Sequence, residues 1–332
     1  MTESERAGQA VRLESGKVYR PIPLAALRLD TITDFDLYLA TPEERAPVLY
    51  RRRDLPFTQE VQERLLQTNL VSLYVDVGEE EQYRRYVEGN LGAILADPEI
   101  GMAEKSAVLY ASAQGLVKDL LEAPRAGDAV VRSKALVEHA VQHLFAEQTA
   151  FEHLLKAASY DYYTYTHSVN VFVFSIALAQ RAGYGDSPAL RSFGHGALLH
   201  DIGKSQIDPA IVNCRGKLSH AQWQAMKQHP VYGCEILREH GRLSERALEV
   251  VRHHHEKLDG SGYPDGLSKG DLSREVRIAT ICDIFDALTT RRPYKGAVDS
   301  FPALRLMKEE FDGQLDPGLF RAFVELMGNP SG

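Results

Sequence analysis

The stretch Ala197-Leu198-Leu199-His200-Asp201-Ile202-Gly203-Lys204 decides how the second half of this 332-residue chain is read. Its apolar run anchors a helix that ends on His200-Asp201, and Gly203 can terminate it. Adjacent histidine and aspartate at a buried helix end let one imidazole nitrogen and one carboxylate oxygen reach the same ion. The second carboxylate oxygen is then free for a neighbouring ion. That is the geometry of a bridged two-metal site, with Lys204 behind it as a donor to bound water or phosphate.

Outward from this stretch the helical period holds from residue 100 onward. Helices are predicted near 101–123, 127–146, 148–158, 167–182, 187–201, 219–227, 230–241, 243–256, 273–290, 302–312 and 317–327. Gly183 follows one of them, Ser219 and Ser273 can cap others, and Pro230 suits a first helical turn. Before residue 97 the pattern differs: 18–24, 36–40, 48–52 and 71–77 read as short strands, 58–68 and 79–96 as helices. The chain is therefore expected to be mainly α. A loose terminus over 1–16 precedes a small α/β domain over 17–97 with a regulatory role, a helical connector over 98–149 and an all-α domain over 150–332. The α/β domain holds no P-loop, no dinucleotide fingerprint and no histidine or cysteine cluster, and its Arg51-Arg52-Arg53 run reads as a solvated strand end.

Composition narrows the class. With 44% apolar and 25% charged residues the chain is neither disordered nor collagen-like nor a coiled coil. No apolar run approaches the ~20 residues that a bilayer requires, and no signal segment opens the chain. Cys214, Cys234 and Cys282 make no disulfide framework, which points to a reducing cytoplasm. Of the net charge of -8, residues 1–150 carry -7 and residues 151–332 carry -1. Duplex nucleic acid asks for a basic surface and is not an expected partner.

The histidines of the second half form a series: His167, His200 with Asp201, His229, then His253-His254-His255 with Glu256, while Asp283 follows on another helix. A lone helical histidine is usually a core or surface residue, but the joint arrangement points to a metal site. Asp283 and Asp286 lie three apart on one helix, and the cations Arg291, Arg292 and Lys295 follow it, suited to phosphate or guanine. Between the ligands runs the glycine-rich turn 259–266, beside which Tyr263 is positioned to stack or hydrogen-bond near a substrate.

HDIGK at 200–204 and HHEKLDGSGYP at 254–264 resemble the HD-GYP domain of bacterial cyclic-di-GMP phosphodiesterases, members of the HD metallophosphohydrolase superfamily. The resemblance runs from YTYTHSVNV at 163–171 through QHPVYG at 228–233 to CDIFDALTTRRPYK at 282–295, about residues 150–327. It implies an HD-type helical bundle and a metal site of His167, His200, Asp201, His229, His254, His255 and Asp283, with His253 a bystander. It also implies ligand contacts from Arg292 and Lys295, and contacts of the GYP loop with GGDEF-domain proteins. Five imidazoles and two carboxylates without a thiolate suit iron, manganese, nickel or zinc better than magnesium or calcium; iron or manganese is expected. Some family members carry glutamate four residues before the first ligand histidine and hold a third metal. Here that place is Tyr163, and Asp161 points elsewhere on a regular helix, so two ions per chain are expected.

The expected activity is hydrolysis of cyclic-di-GMP to pGpG, with GMP as a further product, by a hydroxide bridging two metals, with Asp201 and Lys204 at the reacting centre. Two alternatives compete. One is a catalytically weak cyclic-dinucleotide sensor or GGDEF-interacting module, which the complete ligand set disfavours. The other is an HD phosphohydrolase acting on another nucleotide, which leaves the GYP loop, Arg292 and Lys295 unexplained. The expected setting is cytoplasmic, without membrane attachment, and a homodimer is compatible with the sequence.

Overall fold

The structure, a computed structural model, describes residues 11–12, 16–39, 47–67, 72–147, 149–158, 164–214, 216–290 and 299–329. The chain divides into two units after Ser112. Among the described residues no helix is long and apolar enough to cross a membrane.

The first unit contains β1 (Val11–Arg12), β2 (Val18–Pro23), β3 (Thr31–Ile32), β4 (Leu37–Leu39), β5 (Val48–Arg51), β6 (Pro56–Phe57), α1 (Gln59–Gln67), β7 (Ser72–Asp76), α2 (Glu80–Ala96) and the start of α3 (Met102–Glu122). Five strands make an antiparallel sheet in the order β1-β2-β7-β4-β5, and β3 pairs with β6. Along β2 Tyr19 and Ile22 are buried; three apart, they point to opposite faces, and Ile22 faces the core. Spacing of four along α1 sends Val61 and Leu65 into a core with Phe35, Leu37, Phe57, Leu73 and Val75, the pattern of an amphipathic helix against a sheet. The polar stretch read as a loose terminus holds one edge strand: Val11 and Arg12 pair with Tyr19 and Val18.

The second unit continues with α4 (Gly127–Ala146), α5 (Ala150–Ala157), α6 (Thr164–Arg181), α7 (Pro188–Leu199), a 3-10 turn (Ile202–Gln206), α8 (Pro209–Val212), α9 (His220–Met226), α10 (His229–His240), α11 (Glu245–His253), α12 (Arg274–Thr289), α13 (Ser300–Glu310) and α14 (Pro317–Gly328). At its centre is α6, buried on every side from Thr166 to Ala179, as a helix apolar all round must be. It packs against α7, α12 and α14. Phe174 of α6 meets Phe151, Phe285 and Phe323 edge to face, with ring centroids 5.5 to 6.3 Å away, a favoured aromatic geometry.

Local signals set the helix ends. Ser187, Ser244 and Ser273 accept the backbone N–H groups of Leu190, Ala247 and Val276, and Ser219 forms a reciprocal capping box with Gln222. After α6, Gly183 takes φ +89°, and the bonds Tyr184 N–H to Ala179 O and Gly183 N–H to Gln180 O close a Schellman turn.

Gly203 acts by closeness instead. A methyl group there would lie 1.9 Å from the His229 carbonyl oxygen and 2.4 Å from the Gly233 nitrogen. The 3-10 turn after Asp201 thus lies directly on the first turn of α10 and brings Asp201 to His229. Gly203→Ala should cost about 3 kcal/mol or more, because backbone meets backbone. Gly183→Ala, whose methyl meets nothing within 4 Å, carries only the strain of positive φ, about 1 kcal/mol. Denaturant melts of the two variants check the difference; equal costs would mean that α10 can move away from the turn.

Candidate metal centre

Three imidazoles are oriented by the same device. His200 follows α7, His229 follows α9 and His254 follows α11, and each Nδ1 lies within 2.8 to 2.9 Å of a carbonyl three residues earlier, on Ala197, Met226 and Val251. These belong to the last-turn carbonyls that a helix leaves without partners. A carbonyl only accepts, so each Nδ1 carries the proton and each Nε2 presents a lone pair. The orphan groups of three helix ends thereby fix three tautomers.

The Nε2 atoms converge. His229 Nε2 and His254 Nε2 are 3.2 Å apart, and His200 Nε2 and His167 Nε2 are 3.3 Å apart. Asp201 sits between these pairs. Its Oδ1 is 3.2 Å from His229 Nε2 and 4.0 Å from His254 Nε2, while its Oδ2 is 3.5 Å from both His167 Nε2 and His200 Nε2. Asp283 spans the same gap, with Oδ1 3.0 Å from His167 Nε2 and Oδ2 3.2 Å from His255 Nδ1. Donor atoms gather within 4.8 Å of one another as His229-His254-His255, as His167-His200-Asp283 and as His200-Asp201-His254.

This arrangement fits cations. Asp201 Oδ1 is buried and accepts no hydrogen bond among the described residues, and its nearest neighbour, His229 Nε2, also offers a lone pair. Acceptors facing acceptors in a dry interior are costly unless a positive charge lies between them. Burial alone would raise Asp201 and Asp283, but the Lys204 ammonium beside the first and His167, hydrogen-bonded to the second, hold both well below the usual carboxylate range. Desolvation lowers His229, holds His254 well below its ordinary value and brings His255 down to about 3. These imidazoles are therefore neutral and the carboxylates ionised, the states a metal requires.

His167 is the exception. Burial opposes its charge, but hydrogen bonds to Asp283 and Asp286 outweigh burial and push it up to about 10. Asp286 Oδ2 lies 2.7 Å from His167 Nδ1, and Asp286 Oδ1 accepts from Asn170 Nδ2 at 2.8 Å. The spacing of Asp283 and Asp286 was visible in the sequence, but an orienting role for Asp286 and Asn170 was not read from it. Their signal is the shared step of three: His167 and Asn170 on α6 face Asp283 and Asp286 on α12.

Lys204 Nζ lies 2.5 Å from Asp201 Oδ2. His253 stays out of the cluster: its Nε2 is 2.9 Å from Asp265, which also takes a two-pronged bond from Arg252. The glycine-rich loop is fixed by Glu256, whose buried carboxylate accepts the N–H groups of Asp265, Gly266 and Leu267 at 2.7 to 3.1 Å. Tyr263 lies over His255, with ring centroids 4.6 Å apart. Tyr163, Asp161, Arg291, Arg292 and Lys295 lie outside the described residues.

The family model for the HD domain matches residues 165–319, the segment that holds the whole cluster. Residues 165–319 are an HD domain. Membership implies divalent metal binding, and the His/Asp groups above could hold such ions. The chain carrying this HD domain is 36% identical over 225 residues to the cyclic di-GMP phosphodiesterase PA4108 of Pseudomonas aeruginosa, covering 67% of this chain and 54% of that protein. It is 38% identical over 179 residues to the 3'3'-cGAMP-specific phosphodiesterase 3 of Vibrio cholerae, covering 54% of this chain and 38% of that protein. The chain thus spans about half of the first relative's length and less of the second's. Among solved structures, Bd1817, an HDG"Y"P protein from Bdellovibrio bacteriovorus, matches with a TM-score of 0.66 at 22% identity, over 93% of this chain and 99% of that one. That likeness is one of fold.

Metal loading of the HD domain should be coupled to proton release. In the metal-free protein His167 holds a proton on each nitrogen, and a cation at Nε2 displaces one of them. Since the proton must leave, apparent affinity should rise with pH from neutral toward about 10 and fall as pH falls. Asp286→Asn removes one of the two carboxylates that hold this proton and the orientation of the ring, so it should reduce proton release at pH 8 and weaken metal binding roughly 10- to 100-fold. Calorimetry in two buffers of different ionisation enthalpy measures both. Unchanged proton release in the variant would assign the raised value to Asp283 alone.

Proposed function

We propose that this chain is an HD-GYP phosphodiesterase that hydrolyses cyclic di-GMP to pGpG, with GMP as a further product. The observation that carries the reading is the placement of His229-His254-His255 and His167-His200-Asp283 on either side of the Asp201 carboxylate. Two divalent ions, iron or manganese for this nitrogen-rich donor set without thiolate, supply Lewis acidity and a source of hydroxide at neutral pH when bound. The relatives named as cyclic di-GMP and 3'3'-cGAMP phosphodiesterases support the choice of substrate class.

The chain's own residues then have distinct tasks. Asp201 keeps a negative charge between the two donor groups, and Lys204, 2.5 Å from Oδ2, holds that carboxylate ionised and offers N–H donors to a phosphate oxygen. Asp283 and Asp286 fix His167. With two carboxylates among seven donors, the loaded site stays positive and draws in a phosphodiester anion. Arg292 and Lys295 add a fork and a point charge for the phosphates, and Tyr263 borders the substrate. The N-terminal unit is assigned a regulatory role. GGDEF-domain proteins are assigned as partners of the loop 259–266, and a homodimer as the assembly. The free thiols of Cys214, Cys234 and Cys282 accord with the cytoplasm.

Purified protein loaded with iron or manganese should turn over cyclic di-GMP faster than 3'3'-cGAMP, and both faster than mononucleotides. Asp201→Ala should lose both its metal, by elemental analysis, and its turnover, because no neighbouring acid replaces the shared carboxylate. Protein holding two ions per chain that cleaves no cyclic dinucleotide would overturn the assignment.

A further inference from the structure

Exposure around the centre is one-sided. The side chains of His167, His200, Asp201, His229 and His254 are 0 to 2% exposed, and that of Asp283 is 7% exposed. His255 alone reaches 24%. A substrate therefore meets the donor cluster at His255, and whatever flanks His255 flanks the mouth.

Two aromatic rings do so in sequence. Tyr263 covers His255 with centroids 4.6 Å apart and planes at 32°. Trp223 then stands against Tyr263, centroids 6.0 Å apart and planes at 80°. Trp223 is the chain's single tryptophan, and 44% of it is exposed. Its helix α9 has no buried residue, so packing does not explain a large aromatic side chain there. The helix is nevertheless held firmly. Its N-terminus closes a capping box between Ser219 and Gln222, and the carbonyl of Met226 at its other end bonds His229 Nδ1 at 2.8 Å. Trp223 thus projects from an element tied directly to the metal site.

We propose that Trp223 is a specificity-determining residue, a stacking platform for one purine base of the cyclic dinucleotide whose phosphodiester lies at His255. The inference rests on the phosphodiesterase reading above and names the contact that selects a purine dinucleotide over a bare phosphodiester. A flat indole with an open face accepts any purine, and removing such a platform typically weakens binding by about 5- to 100-fold. The cluster itself, which acts on the phosphodiester, is untouched by the change.

Because the chain has one tryptophan, its fluorescence reports this site alone. Titration of metal-loaded protein with cyclic di-GMP, read before turnover in a stopped-flow instrument, should quench the emission. Trp223→Ala should raise KM for cyclic di-GMP about tenfold or more with kcat within about twofold and with unchanged metal content. Hydrolysis of bis(p-nitrophenyl) phosphate, a diester without a purine, should change far less. Trp223→Phe, which keeps an aromatic face and serves if the alanine variant fails to fold, should restore most of the affinity. Wild-type protein that cleaves the nitrophenyl diester but no cyclic dinucleotide would overturn the reading as a cyclic-dinucleotide phosphodiesterase. Wild-type protein that cleaves cyclic di-GMP without quenching, or a Trp223→Ala variant with unchanged KM or with both substrates equally impaired, would overturn the role of Trp223 and leave that reading in place.

Discussion

Imidazole lone pairs held face to face around one buried carboxylate are the constraint that the helical unit is built to satisfy. His200, His229 and His254 cannot turn away, because their Nδ1 protons are engaged by last-turn carbonyls of the preceding helices. Turning a ring would abandon that hydrogen bond and leave the carbonyl without its partner. Convergence of so many acceptors opposes folding in the absence of cations, so the surrounding packing has to hold it. The all-buried α6, the aromatic cluster around Phe174 and the backbone contact at Gly203 supply that rigidity. Binding free energy for metal is accordingly folding free energy for the site.

Around the donors, further carboxylates orient without belonging to the cluster. Asp286 fixes His167 and is itself held by Asn170. Glu256, next in sequence to His255, collects three backbone N–H groups of the glycine-rich loop. Asp265, at the far side of that loop, ties His253 and Arg252. The loop therefore has no independent position. It is held beside the histidine cluster by Glu256, by Asp265 and by the Tyr263 N–H bond to the His255 carbonyl at 3.3 Å, so Tyr263 keeps its place over His255.

Helix periodicity and caps made most of the helical unit legible in the sequence, because apolar spacing, serine caps and a C-terminal glycine are local signals. Three of the grouped histidines, His200, His229 and His254, stand just after helix ends, where the sequence punctuation is strong, whereas His167 lies within α6. What escaped were effects that need a second segment. β3 and β6 are two residues each, too short for alternation to register, and their pairing depends on contacts far apart in sequence. The β1 pair lay hidden in a polar terminus. Trp223 occupies a short helix whose pattern says nothing of its neighbour Tyr263, forty residues on. Glu256 read as part of a histidine run, whereas its carboxylate is the fastening of the loop.

Helix phase on α12 decides the chemistry of the donor set. Asp283 and Asp286, three apart, face α6 at the same step as His167 and Asn170, so two helices in register deliver ligand and orienter together. Cys282, adjacent in sequence, is turned about 100° around the axis and is fully buried, where desolvation pushes its thiol well up. A raised thiol is not a thiolate and does not compete for the ion. One step of helical rotation thus separates an oxygen donor from a sulfur donor. It keeps the cluster a nitrogen and oxygen site, able to hold ions that retain strong Lewis acidity instead of being quenched by thiolate charge.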